Sequence, residues 1–180
     1  MNPKTNMTDV ETLRRDARQH IEQGAVTADY SADRPAVIQQ LNEALATELV
    51  CVLRYRRHYF MARGIHARGV AAEFLAHSNE EQGHADLLAA RIVQLGGEPD
   101  FAPDGLAGRS HAQYVAGTTL EDMIREDLVA ERIAINSYRD MIRFLGVDDP
   151  TTSDMLKGIL AVEEEHADEL ADLLEGLPQS

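Results

Sequence analysis

Residues 70–95 read VAAEFLAHSNEEQGHADLLAARIVQL, and the order of apolar and ionisable side chains in this stretch decides the fold. Val70, Phe74, His77, Glu81, His84, Leu88, Arg91 and Leu95 follow one another in steps of four and three. That is the period of a helix face turned toward other helices. The helix is expected from about Ala67 to Leu95, where the Gly96–Gly97 pair ends it. Three ionisable groups, His77, Glu81 and His84, stand in the middle of a stripe that should be oily.

Upstream, a first long helix opens at Asp33, a plausible cap, and runs to about Arg63 before Gly64. Its seam is Leu41, Leu45, Glu48, Val52, Tyr55, Tyr59 and Ala62, with one carboxylate inside it. Downstream, a third helix begins with Thr118 and Glu121 in capping-box spacing and ends near Leu145; its seam is Leu120, Ile124, Asp127, Glu131, Ala134, Tyr138, Met141 and Leu145. A fourth follows Asp149 and Pro150 and runs to about Glu175, with Leu156, Ile159, Glu163, His166, Leu170, Leu173 and Leu177 on its seam. The stretch from Gly96 to Thr118 lacks a helical period. Extended, it reaches roughly 75 Å, beyond the roughly 42 Å of a helix of about 28 residues. It can therefore return the chain along the whole bundle and make the second and third helices parallel.

The expected fold is all-α: an up-down-down-up four-helix bundle over residues 33–177, with a long crossover between helices 2 and 3. Residues 1–32 form an extension in which Thr8 to about Gly24 reads as a short charged helix, with Val10, Leu13, Ala17 and Ile21 on one face. It is either a docking element or a solvated terminal arm.

Composition agrees with helices. Of 180 residues 44% are hydrophobic, only 5% are aromatic and none is Trp, which favours one helical domain over sheets. Seventeen basic against 31 acidic side chains leave a charge of −14, which argues against a general hold on nucleic acid and for cations as small partners. Lys4, Arg14, Arg15 and Arg18 are balanced by Asp9, Glu11, Asp16 and Glu22, so DNA binding through the N-terminal arm is not expected. The single Cys51 can form no internal disulfide, and no run of about 18 apolar residues stands out. A soluble, cytoplasmic protein without a membrane partner is the expectation.

Each of the four long helices places a carboxylate in its apolar stripe, and the second and fourth add a His three positions after the Glu. Glu48 and Glu81 are separated by almost the same length of chain as Glu131 and Glu163, so each hairpin brings its lone Glu level with its partner's ExxH. Four gathered carboxylates would repel one another in a dry interior. Two divalent ions would cancel their charge, and Glu with His at i+3 can direct both side chains at one ion. A lone ExxH on a Glu-rich helix is weak evidence; the coincidence of four seams, two motifs and two matched spacings is strong. His77, one turn before Glu81, is read as a satisfied core histidine in preference to a transient metal contact. Arg91 is read as reaching outward or pairing with an acid, and the seam Met and Tyr residues as core packing.

These residues resemble the bacterioferritins and related ferritin-like di-iron carboxylate proteins over about residues 33–176. EEQGHADLL around Glu81, EDLVAERIAI around Glu131, and Tyr55 two turns after Glu48 are similar to the family's segments. The resemblance implies that Glu81 and Glu163 bridge two iron ions, with Mn or Zn possible, while Glu48 with His84 and Glu131 with His166 complete one ion each. It also implies that Tyr55 and Asp127 hydrogen-bond ligands or water; an ordinary core tyrosine and a buried, hydrogen-bonded aspartate are the alternatives. Where bacterioferritins carry a haem-ligating Met directly after the Glu of the first ExxH, this chain has Gln82, so haem is not expected. Ser180 lies just past the fourth helix with no short fifth one, which points to a twelve-subunit, Dps-like homo-oligomeric shell ahead of a 24-subunit cage.

The activity implied is ferroxidation: Fe(II) oxidised by O2 or H2O2 and stored within the shell. The alternative is a non-storage di-metal enzyme, a manganese catalase or a diiron peroxidase or oxygenase.

Overall fold

Two aspartates and two prolines start the helix that opens the first hairpin and the helix that closes the second. In the computed structural model, which describes residues 7–65 and 67–177, the Asp33 carboxylate accepts from the Ala36 N–H at 3.2 Å and Pro35 sits in the first turn of α2 (Arg34–Met61). α1 (Val10–Asp16) precedes it. α3 (Ala67–Gln94) ends where Gly96 takes φ 80° and Gly97 closes against α2; a Cβ on Gly97 would come within 2.7 Å of Ile38. After the short α4 (Leu106–Arg109), α5 (Leu120–Leu145) starts at a capping box. The box is Thr119 with Asp122, one position on from the expected Thr118 with Glu121. Thr118 also hydrogen-bonds Asp122, whose shorter side chain reaches the cap amides. α6 (Pro150–Gly176) is capped by Asp149, which accepts from the Thr152 N–H at 2.9 Å.

Side-chain contacts fix the helix directions. Tyr138 and Tyr55 of α5 and α2 reach Glu48 and Glu131, so advancing along α2 means retreating along α5. His84 faces Glu163 while His77 faces Glu169, so α3 and α6 are antiparallel too. The crossover lies along α2 in the same sense as that helix. Asn42 holds Glu98 O and Asp100 N, Thr47 Oγ1 accepts from the His111 N–H, Arg54 donates to Gln113 O, and His58 meets Ala116 O. This path returns the chain to the end of the bundle where α3 began. α3 and α5 therefore run parallel, as the up-down-down-up order requires.

Apolar residues form two clusters. One end holds Leu41, Leu45, Leu88, Ile92, Met141, Leu145, Leu156 and Ile159; the other holds Cys51, Tyr55, Val70, Phe74, Met123, Ile124 and Leu170. Truncating a fully buried member such as Leu88 to Ala costs on the order of 2–5 kcal/mol. Between the clusters lies a polar layer. α2 is long and apolar enough to pass for a membrane span by length and composition, although no uninterrupted apolar run stands out in its sequence. Val37, Leu41, Leu45, Cys51 and Tyr55 pack in this core, with Glu48, Arg54 and His58 buried among them, while Leu53, Phe60 and Met61 are exposed.

The N-terminal extension departs from expectation. Helix spans only Val10–Asp16, and a single 3-10 turn, Ile21–Gln23, follows His20, which takes a positive φ of 48°. Val10, Leu13 and Ile21 are exposed, so within one chain this face docks on nothing among the described residues. Lys4 lies outside the described residues.

Candidate metal centre

Each bundle helix delivers its ionisable groups to the polar layer. Glu48 comes from α2, Glu81 and His84 from α3, Glu131 from α5, and Glu163 and His166 from α6; all six are buried. Four of them, Glu48, Glu81, His84 and Glu163, bring ligand atoms within 4.8 Å of one another, and so do Glu81, Glu131, Glu163 and His166. The two sets share Glu81 and Glu163. His84 Nδ1 lies 2.9 Å from Glu163, 3.5 Å from Glu81 and 3.6 Å from Glu48; His166 Nδ1 lies 3.6 Å from Glu81 and 4.0 Å from Glu131.

The electrostatics are those of an overcrowded acid cluster. Burial, reinforced by the charge of Glu81, raises the Glu48 and Glu163 carboxyls well above the ordinary range, and Glu131 shifts up for the same reasons. Glu81 goes the other way. Burial opposes its ionisation, but the closeness of Glu48, His166 and His84 prevails and holds it below the usual carboxylate range. His84 and His166 lose solvation, yet the acids around them raise them to about 10 and about 9. Even so, Glu48 Oε2, both Glu81 oxygens, Glu131 Oε2, Glu163 Oε1, His84 Nδ1 and His166 Nδ1 are buried without a hydrogen-bond partner. Unpaired buried oxygens and imidazole nitrogens converging from four helices fit a divalent cation pair.

A profile of the ferritin-like domain matches residues 38–180. The chain belongs to the ferritin-like family. A bacterioferritin of Mycobacterium tuberculosis is 31% identical over 142 residues, 78% of this chain and 85% of that protein. A DNA protection during starvation protein of Pyrococcus furiosus is 30% identical over 131 residues, 67% of this chain and 70% of that one. Among solved structures, a bacterioferritin-related protein of Bacteroides fragilis, described as a dodecameric thioferritin, superposes with a TM-score of 0.77 at 34% identity, covering 80% of this chain and 87% of that one. Dps from Thermosynechococcus elongatus, at 21% identity and a TM-score of 0.75, shares the fold over 78% of this chain and 90% of that one.

In this ferritin-like chain the groups behind the six side chains agree with the sequence expectation at Tyr55 and differ from it at Asp127 and Tyr138. Tyr55 donates to Glu131. Asp127 touches none of the six. Arg54 Nε donates to it at 2.7 Å and His58 Nδ1 lies 2.8 Å away, so α2 claims both of its oxygens one turn before Glu131. Tyr138, expected as packing alone, donates to Glu48. Its signal was available: it follows Glu131 by the same two turns that separate Tyr55 from Glu48. Glu80, directly before Glu81 in the sequence, lies 2.7 Å from His166 Nε2. Arg91 pairs with the Asp149 cap at 2.8 Å, and Gln82 bonds Asp86 on its own helix.

Proposed function

We propose that Glu48, Glu81, His84, Glu131, Glu163 and His166 bind two iron ions, that Fe(II) is oxidised there by O2 or H2O2, and that the ferric product is stored within a homo-oligomeric shell. The observation that carries this is the pair of four-residue ligand sets with Glu81 and Glu163 in common, which would give two adjacent ions two shared carboxylates. Carboxylate and imidazole donors suit Fe(II), with Mn(II) and Zn(II) as competitors. Tyr55 and Tyr138 would hold Glu131 and Glu48 in their binding rotamers. The chain's net charge of −14 favours capture of a cation. Likeness to a bacterioferritin and to a protein described as dodecameric supports iron and a twelve-subunit assembly.

The test is to add Fe(II) without oxygen, then admit O2 or H2O2, while following oxidant consumption and particle mass. Ferric mineral inside a shell of about twelve chains is expected. A small oligomer that disproportionates peroxide without accumulating ferric product would move the assignment to a non-storage di-metal enzyme.

A further inference from the structure

Residues 49–72 hold five of the chain's 17 basic side chains and no Asp or Glu, although the chain as a whole carries 31 acids. One of the five, Arg54, is buried on Asp127. The other four, Arg56, Arg57, Arg63 and Arg68, lie in the turn between α2 and α3 or on the helix ends beside it. Arg56 donates to Asn79 at 2.8 Å and Arg57 to Ala116 O, and none of the four meets a carboxylate among the described residues. By contrast, Arg91, Arg109, Arg125, Arg139 and Arg143 each pair with an acid of their own chain. Apolar side chains stand among the unpaired arginines: Phe60 is 69%, Met61 41% and Ile65 92% exposed. Ion pairs in water hold little by themselves, but arginines set around an exposed aromatic and Met have the make-up of a protein interface.

The end of α6 is the electrical opposite of this turn. Residues 158–177 contain seven acids and no Lys or Arg. Asp168, Asp172 and Glu175 follow one another in steps of four and three, so they share one helix face. All three are exposed and none meets a cation among the described residues, while Leu173 and Leu174 beside them are half-buried. Both segments belong to one end of the bundle, because Tyr59 and Ala62 of the first and Leu173, Leu174 and Leu177 of the second pack on the same apolar cluster. Within the chain the arginines and these acids are nevertheless not joined. Complementary patches that a chain leaves unjoined can be satisfied by its own copies.

We propose that the turn between α2 and α3 docks on the acidic C-terminal face of α6 in a second copy of the chain. The inference rests on the shell reading above and names one of its contacts. Turn and face are different patches, so the contact is head-to-tail. Each chain gives its turn to one neighbour and receives the turn of another on its α6, and a contact of this kind closes into a ring about an axis at this end of the bundle. Nucleic acid is the poorer occupant, since a net charge of −14 repels a polyanion as a whole. The acidic face of a sister chain supplies the opposite charge together with the apolar area of Leu173 and Leu174.

Charge reversal on each side tests the contact, with particle mass read by light scattering and folding checked by thermal melting. Arg63→Glu with Arg68→Glu, and separately Asp172→Arg with Glu175→Arg, should each lower the mass at least about twofold, because a closed assembly that loses one kind of contact falls into smaller units. All four substitutions in one chain exchange the signs and should return the wild-type mass. An unchanged mass in either double variant overturns the proposal, as does a combined variant that stays small. A turn variant that keeps its mass but leaves a double-stranded DNA column that retains the wild type also overturns it, and assigns the turn to a polyanion. A wild type that is itself a small oligomer ends the shell reading alone, provided the reversals break that oligomer and the combined variant restores it. A monomeric wild type ends both.

Discussion

The hydroxyl of Tyr138 on α5 donates to Glu48 on α2, and by the same construction Tyr55 on α2 donates to Glu131 on α5. Each lone Glu is thus held by the tyrosine that follows the other one by two turns. The two hairpins clasp reciprocally across the polar layer.

Tyr138→Phe removes the donor to a buried carboxylate. The metal-free protein should lose about 1–3 kcal/mol of stability, and Co(II) affinity should fall about 10–100-fold because Glu48 is no longer oriented. Thermal unfolding in chelator and a Co(II) titration measure the two effects; no change in either would show that the phenol only fills space.

Asp127→Ala should separate the clamp from the centre. It leaves Arg54, 1% exposed, without its ion partner, at a cost on the order of 3–5 kcal/mol. Because Asp127 touches none of the six candidate ligands, the number of ions bound per chain should stay as in the wild type. Loss of an ion at equilibrium, in folded protein, would place Asp127 in the centre after all.

Loading should release protons. In the metal-free protein Glu48, Glu131 and Glu163 are shifted up, and His84 and His166 titrate at about 10 and about 9, so at neutral pH the centre holds several protons that a cation must displace. Affinity for Zn(II) should strengthen as pH rises toward that range and weaken as it falls. Calorimetry in buffers of different ionisation enthalpy reads the release directly, and heats independent of buffer would contradict it.

Asp149 gives a separate pH signature. Burial pushes its carboxyl up, but bonds from Thr152, Tyr30 and Arg91 win and hold it below the usual range. A depressed acid stabilises the fold above its ordinary pKa, and that share is lost as pH falls through the lowered value. Asp149→Ala should therefore melt well below the wild type at neutral pH, with the gap narrowing below about pH 4. A gap constant with pH would assign the loss to the cap geometry alone.

Much of this was legible in the sequence because helical periodicity is strict. One ionisable residue in an apolar stripe, repeated at matched spacing in two hairpins, located all six groups that the structure gathers. What escaped was decided across helices. Asp127 shares Glu131's stripe, and only the placement of Arg54 and His58 on α2 tells which neighbour it serves. Glu80 lies off the stripe, directly before Glu81, and only the approach of α6 brings His166 to it; His77 stood out on the stripe, but its partner Glu169 belongs to another helix. The extent of α1 was also missed: it stops at Asp16, where no Gly or Pro marks the end.

The crossover meets α2 largely through its own backbone: carbonyls of Glu98, Gln113 and Ala116 and amides of Asp100 and His111 face side chains of the helix. Peptide groups are the same whatever residue bears them. Substitutions at Glu98, Asp100, Gln113 and Ala116 should be tolerated better than changes at Asn42, Thr47, Arg54 or His58, so mutational sensitivity shifts to the helix that is gripped, the buried Ala112 of the strap excepted.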